Sequence, residues 1–193
     1  FTRKELSGGG ATMDIGVHML DAVLWMLGFP EVAAVRGEAQ AIHGPHERGL
    51  GGWGADRVPG GTFDVEDMAA IHLRLAGGGL VTIEVSWAFH GRNELRVQLV
   101  GDQGGADFFP DLYGKEAPLR FFHTEGVMPV EIVPTLPEVE LAWSLGFGQF
   151  IDAVRGQGRP LATGEEGLAV LRLLDARLCW RGAGDRAGGA EPG

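Results

Sequence analysis

The sequence predicts an α+β fold in which a largely antiparallel, open sheet carries helices packed on one face. Apolar side chains recur every three or four residues over 12–27, which is typical of a helix with one buried side. Apolar and polar residues alternate over 71–87, which is typical of half-buried strands, and helical spacing returns after residue 138. Strands grouped between helices indicate an antiparallel sheet whose apolar face the helices cover.

The first helix is predicted over residues 12–27. Its apolar stripe consists of Met13, Val17, Leu20, Leu24 and Leu27. Gly28 and Pro30 end it, because neither residue continues a helix well. A strand is expected over 32–42, and a Gly-rich loop over 43–61.

A β-meander is predicted next. Ile71, Leu73 and Leu75 alternate with His72 and Arg74. The same alternation recurs over 81–87, and the AGGG stretch at 76–79 supplies the hairpin turn between the two strands. Further strands are expected over 95–99, after the turn at 101–105, near 118–123 and near 127–133.

Two helices are predicted in the C-terminal part. The first covers 138–156, with Leu141, Leu145, Phe150, Ile151 and Val154 on one side. Thr163 and Glu166 form a capping box that begins the second. Its stripe consists of Leu168, Leu171, Leu174 and Leu178. We expect one α+β domain over residues 1–181, followed by a disordered tail over 182–193.

The composition of the 193 residues excludes several classes of protein. Hydrophobic residues make up 45% without a run long enough for a membrane span, and a net charge of −10 argues against nucleic acid and anionic lipid as partners. Cys179, the single cysteine, excludes an internal disulfide; we expect it in the last helix as a buried thiol, in a reducing, cytoplasmic setting. The chain starts without Met, so we expect it to be part of a longer protein.

The stretch GGGATMDIGVHMLD at 8–21 allows three hypotheses. A phosphate loop is disfavoured, because Met13 stands where the third glycine of a dinucleotide fingerprint would fall and no strand pattern precedes it. The glycines instead permit close approach of the backbone to a ligand or another domain. A metal site is also disfavoured, since Asp14 and His18 are too few ligands; the loop residues His43, His46 and Glu47 are better explained as solvated.

The third hypothesis is an acid-base site, because Asp14, His18 and Asp21 share one face of the predicted helix. An imidazole exchanges protons near neutral pH, and a carboxylate one turn away can orient it. Considered by its spacing alone, such a pair is usually only a surface contact. Asp21 either pairs with His18 or lies on the solvated face, and it is also a candidate substrate contact.

The segment GGGATMDIGVHMLDAVLWMLG resembles the G-G-G-x-x-x-D-x-G-x-H-x-x-D helix of the glucose-fructose oxidoreductase, inositol dehydrogenase and rhizopine-catabolism (Gfo/Idh/MocA) family. VEDMAAIHLRLAGGGLVTIEVSW resembles the hairpin of that family, LVGDQGG its following turn, and FIDAVRGQGRPLATGEEGLAVLRLLDA its last two helices. The resemblance covers about residues 5–181 and is weaker over 43–62 and 107–137.

The resemblance implies the C-terminal, substrate-binding and oligomerisation domain of an oxidoreductase that transfers a hydride between NAD or NADP and a sugar, polyol or related hydroxy compound. It implies that His18 is the catalytic acid or base and that Asp14 binds the substrate or tunes His18. The N-terminal Rossmann domain of the family and its Glu-Lys-Pro motif are missing from this chain. We therefore expect no cofactor bound to the chain alone, and no turnover.

Further expectations concern the substrate and the partner surfaces. His90, Arg92 and Asn93, in the AFHGRNE stretch, are candidate substrate contacts or an ordinary solvated turn, whereas Trp87 is expected to pack in the core. The polar outer face of the sheet suits solvent or a subunit interface, and the resemblance implies a dimer or tetramer formed through it. The alternative function is a non-catalytic binding or assembly module that uses the sheet for oligomerisation.

Overall fold

The computed structural model describes residues 1–48, 58–88, 90–91, 94–109, 119–136, 142–176 and 178–181. Contacts divide the chain into two compact units, Phe1–Gly91 with Thr163–Gly193, and Arg92–Ala162. The single domain expected over 1–181 stays a prediction, and the tail expected over 182–193 lies outside the described residues. No helix within the described ranges is long and apolar enough to cross a membrane.

The described residues contain the predicted helices and strands, together with the helix Lys4–Ser7 and the strand Leu178–Arg181, which were not predicted. The first unit contains α1 (Lys4–Ser7), a π-helical turn (Thr12–Gly16), α2 (Val17–Met26), β1 (Val32–Gln40), a 3₁₀ turn (Gly44–His46), β2 (Met68–Leu75), β3 (Leu80–Ser86), α4 (Gly164–Asp175) and β8 (Leu178–Arg181). The second contains β4 (Val97–Val100), β5 (Gly105–Phe108), β6 (Leu119–Glu125), β7 (Met128–Ile132) and α3 (Ala142–Val154).

The sheet of the first unit has the strand order β3-β2-β1-β8; the β1–β2 and β2–β3 pairs are antiparallel, and β8 runs parallel to β1. Ile71 and Leu73 are buried opposite Ile83 and Val81, so the predicted apolar face forms the core. The outer face is polar and exposed at His72, Arg74, Thr82 and Glu84. This alternation confirms the predicted hairpin.

Helix α4 begins as predicted and ends earlier. Thr163 Oγ1 accepts a hydrogen bond from the backbone N–H of Glu166 at 3.2 Å, and Glu166 Oε2 accepts one from the backbone N–H of Thr163 at 2.7 Å. The prediction that this helix continues through Leu178 and Cys179 is wrong, because residues 178–181 form β8, parallel to β1. An apolar residue at helical spacing fits a strand equally well, and the open edge of β1 offers unpaired backbone groups to it.

The helix predicted over 12–27 is confirmed between Val17 and Met26, but its first turn differs. Residues 12–16 form a wider, π-helical turn in which the N–H of Val17 donates to Thr12 O. Thr12 itself is wholly buried, and its backbone N–H donates to Glu66 Oε1 at 3.1 Å. Apolar periodicity cannot reveal such a bond, because its partner lies in a segment distant along the chain.

The second unit holds a separate antiparallel sheet of order β4-β5-β6-β7. The predicted strands are confirmed, while the meander breaks into two sheets after β3. Arg96 and Asp107 hold β5 to the residue before β4, since Arg96 Nη2 donates to both oxygens of the buried carboxylate at 3.0 and 2.9 Å. The α+β class with largely antiparallel, open sheets is therefore confirmed.

Candidate functional site

The candidate site lies in the first unit, at the end of the sheet where β1 and β3 finish and β2 begins. Gln40, Met68 and Ser86 are paired in register there. The segments after β1, before β2 and after β3 consequently leave the sheet side by side. The π-helical turn reaches the same end, since a Cβ built on Gly16 would lie 3.5 Å from Val85 Cγ1.

The Gly-rich run allows a close approach of two backbone segments. The N–H of Ala11 donates to Glu66 O at 3.0 Å, and a Cβ on Gly10 would lie 1.8 Å from that oxygen. Only glycine fits at position 10 without moving the main chain. The expected close approach is therefore present, but its partner is Glu66 of the same unit, and not a ligand or another domain.

Helix α2 carries His18 and Asp21 on the side away from the core, whereas Asp14 lies in the π-helical turn before it. Gly16, Leu20, Val23 and Leu24 are buried, which defines the core-facing stripe. At 100° per residue along α2, His18 and Asp21 fall opposite that stripe. His18 is exposed, whereas Asp14 and Asp21 are half-buried.

Within the described residues, no hydrogen bond or ion pair joins His18 to Asp14 or Asp21. This favours the solvated alternative for Asp21. The sequence prediction that the three residues share a face is compatible with this arrangement, while their roles stay predictions. Asp14 lies in the π-helical turn, a feature that occurs often at functional sites.

Trp87 holds Asp14 in place. Its indole Nε1–H donates to Asp14 Oδ2 at 2.9 Å, and the half-buried ring packs against a cluster of Ala11, Ala39, Ala69 and Val85. Sequence reasoning identified the packing and missed the hydrogen bond. The available signal was general, because a half-buried indole N–H usually finds an acceptor.

Of the candidate substrate contacts, His90 is exposed and its ring centroid lies 4.7 Å from that of His43. Arg92 and Asn93 lie outside the described residues. His43 was considered from sequence only as a metal ligand. The described ranges contain no group of three or more His, Cys, Asp or Glu side chains able to hold a metal ion.

Asp67 is a buried residue of this end of the sheet that sequence reasoning missed. Its carboxylate accepts hydrogen bonds from the backbone N–H groups of Ile42, His43 and Gly44. The site therefore combines an oriented carboxylate on Asp14, an exposed imidazole on His18 and the loop 42–44, whose backbone N–H groups are bound by the buried Asp67. Such an arrangement can bind a hydroxylated ligand and exchange a proton with it.

Residues 1–107 match the family model described as the GFO/IDH/MocA C-terminal domain. The D-glucoside 3-dehydrogenase of Escherichia coli (strain K12) is 39% identical over 114 residues, which are 57% of this chain and 31% of that protein. The chain thus spans about a third of this curated relative.

Two solved structures share the fold. The aldose-aldose oxidoreductase from Caulobacter crescentus, complexed with glycerol, superposes with a TM-score of 0.68 at 22% identity, covering 91% of this chain and 46% of that chain. A levoglucosan dehydrogenase in complex with NADH superposes with a TM-score of 0.69 at 20% identity, covering 91% and 49%. With the family model matching more than half of its residues, this chain belongs to the GFO/IDH/MocA family and carries that family's C-terminal domain.

Proposed function

We propose that this chain is the substrate domain of an NAD(P)-dependent oxidoreductase that transfers a hydride between a nicotinamide and a sugar or related hydroxy compound. The matched family and its relatives named as sugar dehydrogenases support this function. The observation that carries it is the hydrogen bond from Trp87 to Asp14, since it orients a carboxylate in the turn that leads into the helix of the exposed His18.

His18 is the proton-transfer group in this proposal. Its imidazole accepts the proton of the reacting hydroxyl during oxidation, or returns it to the carbonyl oxygen during reduction. Asp14 accepts a hydrogen bond from a substrate hydroxyl through the lone pairs that Trp87 does not use. Because Asp14 orients the substrate hydroxyl, the proton of that hydroxyl is positioned for transfer to His18.

The Gly-rich run at 8–10 is not the dinucleotide site in this proposal. Gly10 leads into a π-helical turn and lies against Glu66 O, so its backbone is not open to a pyrophosphate. No glycine-rich turn within the described ranges joins a strand to a helix, which is where a dinucleotide fingerprint lies. Our proposal therefore assigns the cofactor to a separate N-terminal Rossmann domain, and the chain alone to substrate contact and proton transfer.

Exposed apolar side chains of α3 support a further partner surface. Trp143, Phe147 and Val154 are 78%, 67% and 73% exposed. Large apolar groups of this kind are usually covered in the working assembly. The proposed Rossmann domain is the partner that we expect to cover them. We test this by joining that domain to the chain and comparing the quenching of tryptophan fluorescence with and without Trp143→Phe, which isolates the Trp143 signal.

The central experiment replaces His18 by Ala in the oxidoreductase that contains this domain. Loss of the proton-transfer group should lower kcat by about two orders of magnitude, within the range of general acid-base catalysis. Turnover is measured from the nicotinamide absorbance with methyl glucoside as substrate. His123→Ala is the matched control, because His123 lies on β6 of the second unit, outside the candidate site and the outer face of the first sheet, with its Nε2 3.8 Å from Glu125 Oε1. Unchanged kcat in His18→Ala would remove His18 from the mechanism.

Self-association through the outer face of the sheet is the second part of the proposal, and it is also the basis of the alternative assembly function. Arg36, His72 and Thr82 are paired across its centre, and all three are exposed. Thr82→Arg should convert a dimer or tetramer to monomers, because it adds a charge to the middle of the contact. Light scattering that finds only monomers of the unaltered chain at micromolar concentration would contradict this part.

A further inference from the structure

Three loops meet beside Asp14 and Trp87, and two of them carry a histidine. His43 follows β1, and His90 follows β3. Their strands end in register with the start of β2 at Met68, so both loops leave the sheet at the same end. The segment that precedes β2 supplies Asp67 beneath them.

Asp67 fixes the loop that bears His43. The residue is wholly buried, and its Oδ2 accepts the backbone N–H groups of His43 at 2.7 Å and Gly44 at 2.6 Å. The N–H of Ile42 donates to both oxygens, at 3.1 and 3.0 Å. Hydrogen bonds to a carboxylate are stronger than neutral ones, so three consecutive backbone groups are held by one side chain.

An aromatic contact joins this loop to the site of Asp14. A Cβ built on Gly44 would lie 2.0 Å from Phe63 Cζ, so the loop backbone packs directly on the Phe63 ring. Phe63 in turn lies edge-on to Trp87, with centroids 6.4 Å apart. The histidine loop and the Asp14 carboxylate are thus connected through Phe63 and Trp87, all within one unit.

The two imidazoles lie against each other at the surface. Their centroids are 4.7 Å apart and the rings are tilted by 43°. His43 is half-buried and His90 is exposed, and in the described part of the chain neither ring makes a hydrogen bond or ion pair. Two nitrogen ligands are too few for a stable metal site, whereas a neutral imidazole offers one donor and one acceptor, as a hydroxyl does.

We propose that His43 and His90 form a paired contact for neighbouring hydroxyls of a pyranoside sugar, and that Asp67 is the positioning residue that holds the pair. This inference rests on the proposed function, because it extends the substrate wall from Asp14 to the two histidines. Vicinal hydroxyls of a pyranose can each meet one imidazole, since each ring offers a donor and an acceptor. Asp67 touches no sugar and acts only through the loop backbone.

The test measures sugar binding to this chain by NMR with isotope-labelled histidine rings and methyl glucoside as the probe. The ring signals of His43 and His90 should shift saturably, while those of His72 should not move. His43→Ala should raise the Kd about three- to tenfold, the size expected for losing one hydrogen bond. Absence of a saturable shift at both rings, or an unchanged Kd in His43→Ala, overturns the proposal.

Asp67→Asn tests the positioning role, because Asn keeps the shape of the side chain and loses its charge. It should speed hydrogen exchange of the Gly44 amide, weaken the contact between the two rings and raise the Kd. When Asp67→Asn and His43→Ala are combined, the loss of sugar affinity should be no larger than in His43→Ala alone, since both changes act through the same ring. Additive losses contradict the positioning role.

The same experiments separate this inference from the proposed function. Binding shifts are measured without cofactor or turnover, whereas the proposed function is tested by kcat in His18→Ala. A normal Kd in His43→Ala together with a low kcat in His18→Ala overturns the inference alone. Shifts at both rings together with full turnover in His18→Ala overturn the proposed catalytic role alone.

Discussion

The indole N–H of Trp87 donates to Asp14 Oδ2 at 2.9 Å, and this bond joins the end of β3 to the turn that precedes α2. The two residues are far apart along the chain and become neighbours because the sheet end brings their segments together. The bond removes a rotational freedom of the carboxylate and leaves its second oxygen for other donors. We expect four outcomes from this bond and from other contacts, each of which lies within one unit.

Trp87→Phe should lower the free energy of unfolding of the first unit by about 1–3 kcal/mol. The smaller ring can still pack near Phe63, but it leaves the half-buried carboxylate of Asp14 without its indole donor. Urea unfolding followed by circular dichroism measures the change. Trp25→Phe is the matched control, since Trp25 is 60% exposed, and its effect should stay within about 0.5 kcal/mol. Equal effects of the two substitutions would contradict a stabilising role for the hydrogen bond.

Gly10→Ala should destabilise the chain by about 3 kcal/mol or more. The added Cβ would meet Glu66 O at 1.8 Å, and the main chain on both sides would have to move. Gly77→Ala is the control, because nothing lies within 4 Å of a Cβ there and its φ is not in the left-handed region. The melting temperature should fall by many degrees in Gly10→Ala and hardly in Gly77→Ala. A stable Gly10→Ala variant would show that the close approach is not required.

Thr163→Ala should cost about 1 kcal/mol of stability. The substitution removes the hydroxyl that accepts the N–H of Glu166, and with it one half of the capping box of α4. Thr163→Ser keeps the hydroxyl and should retain most of that stability. The free energy of unfolding from urea titration distinguishes the two variants, and equal losses in both would assign the effect to the methyl group instead of the cap.

Asp107→Asn should destabilise the second unit by about 1–3 kcal/mol, because Arg96 then loses its charged partner at a buried position. The comparison is Glu131→Gln, which breaks the ion pair with Arg120. That pair has an N···O distance of 3.0 Å, and its side chains are 48% and 45% exposed. An exposed pair contributes under about 1 kcal/mol. Thermal unfolding of both variants in the same buffer measures the difference, and a larger loss in Glu131→Gln would contradict the argument.

Most elements were predictable, because each needs only local information. The alternation of Ile71, Leu73 and Leu75 with polar residues predicts a strand without any information on tertiary contacts. Thr163 and Glu166 likewise predict the start of a helix from four consecutive residues. The same local reasoning failed at Leu178 and Cys179. Their spacing fits a helix, and only the open edge of β1 made them a strand.

The sequence by itself determined the α+β class, the two faces of the hairpin and the outward side of α2 that carries His18 and Asp21. These features follow from hydrophobic periods of two residues in strands and 3.6 residues in helices, which can be identified in each segment separately. Only the tertiary structure decided that Trp87 bonds Asp14, that Gly10 lies on Glu66, and that Asp67 holds His43 beside His90. Each of these contacts joins segments that meet through strand register, and a linear pattern contains no information on distances between segments that only the sheet brings together.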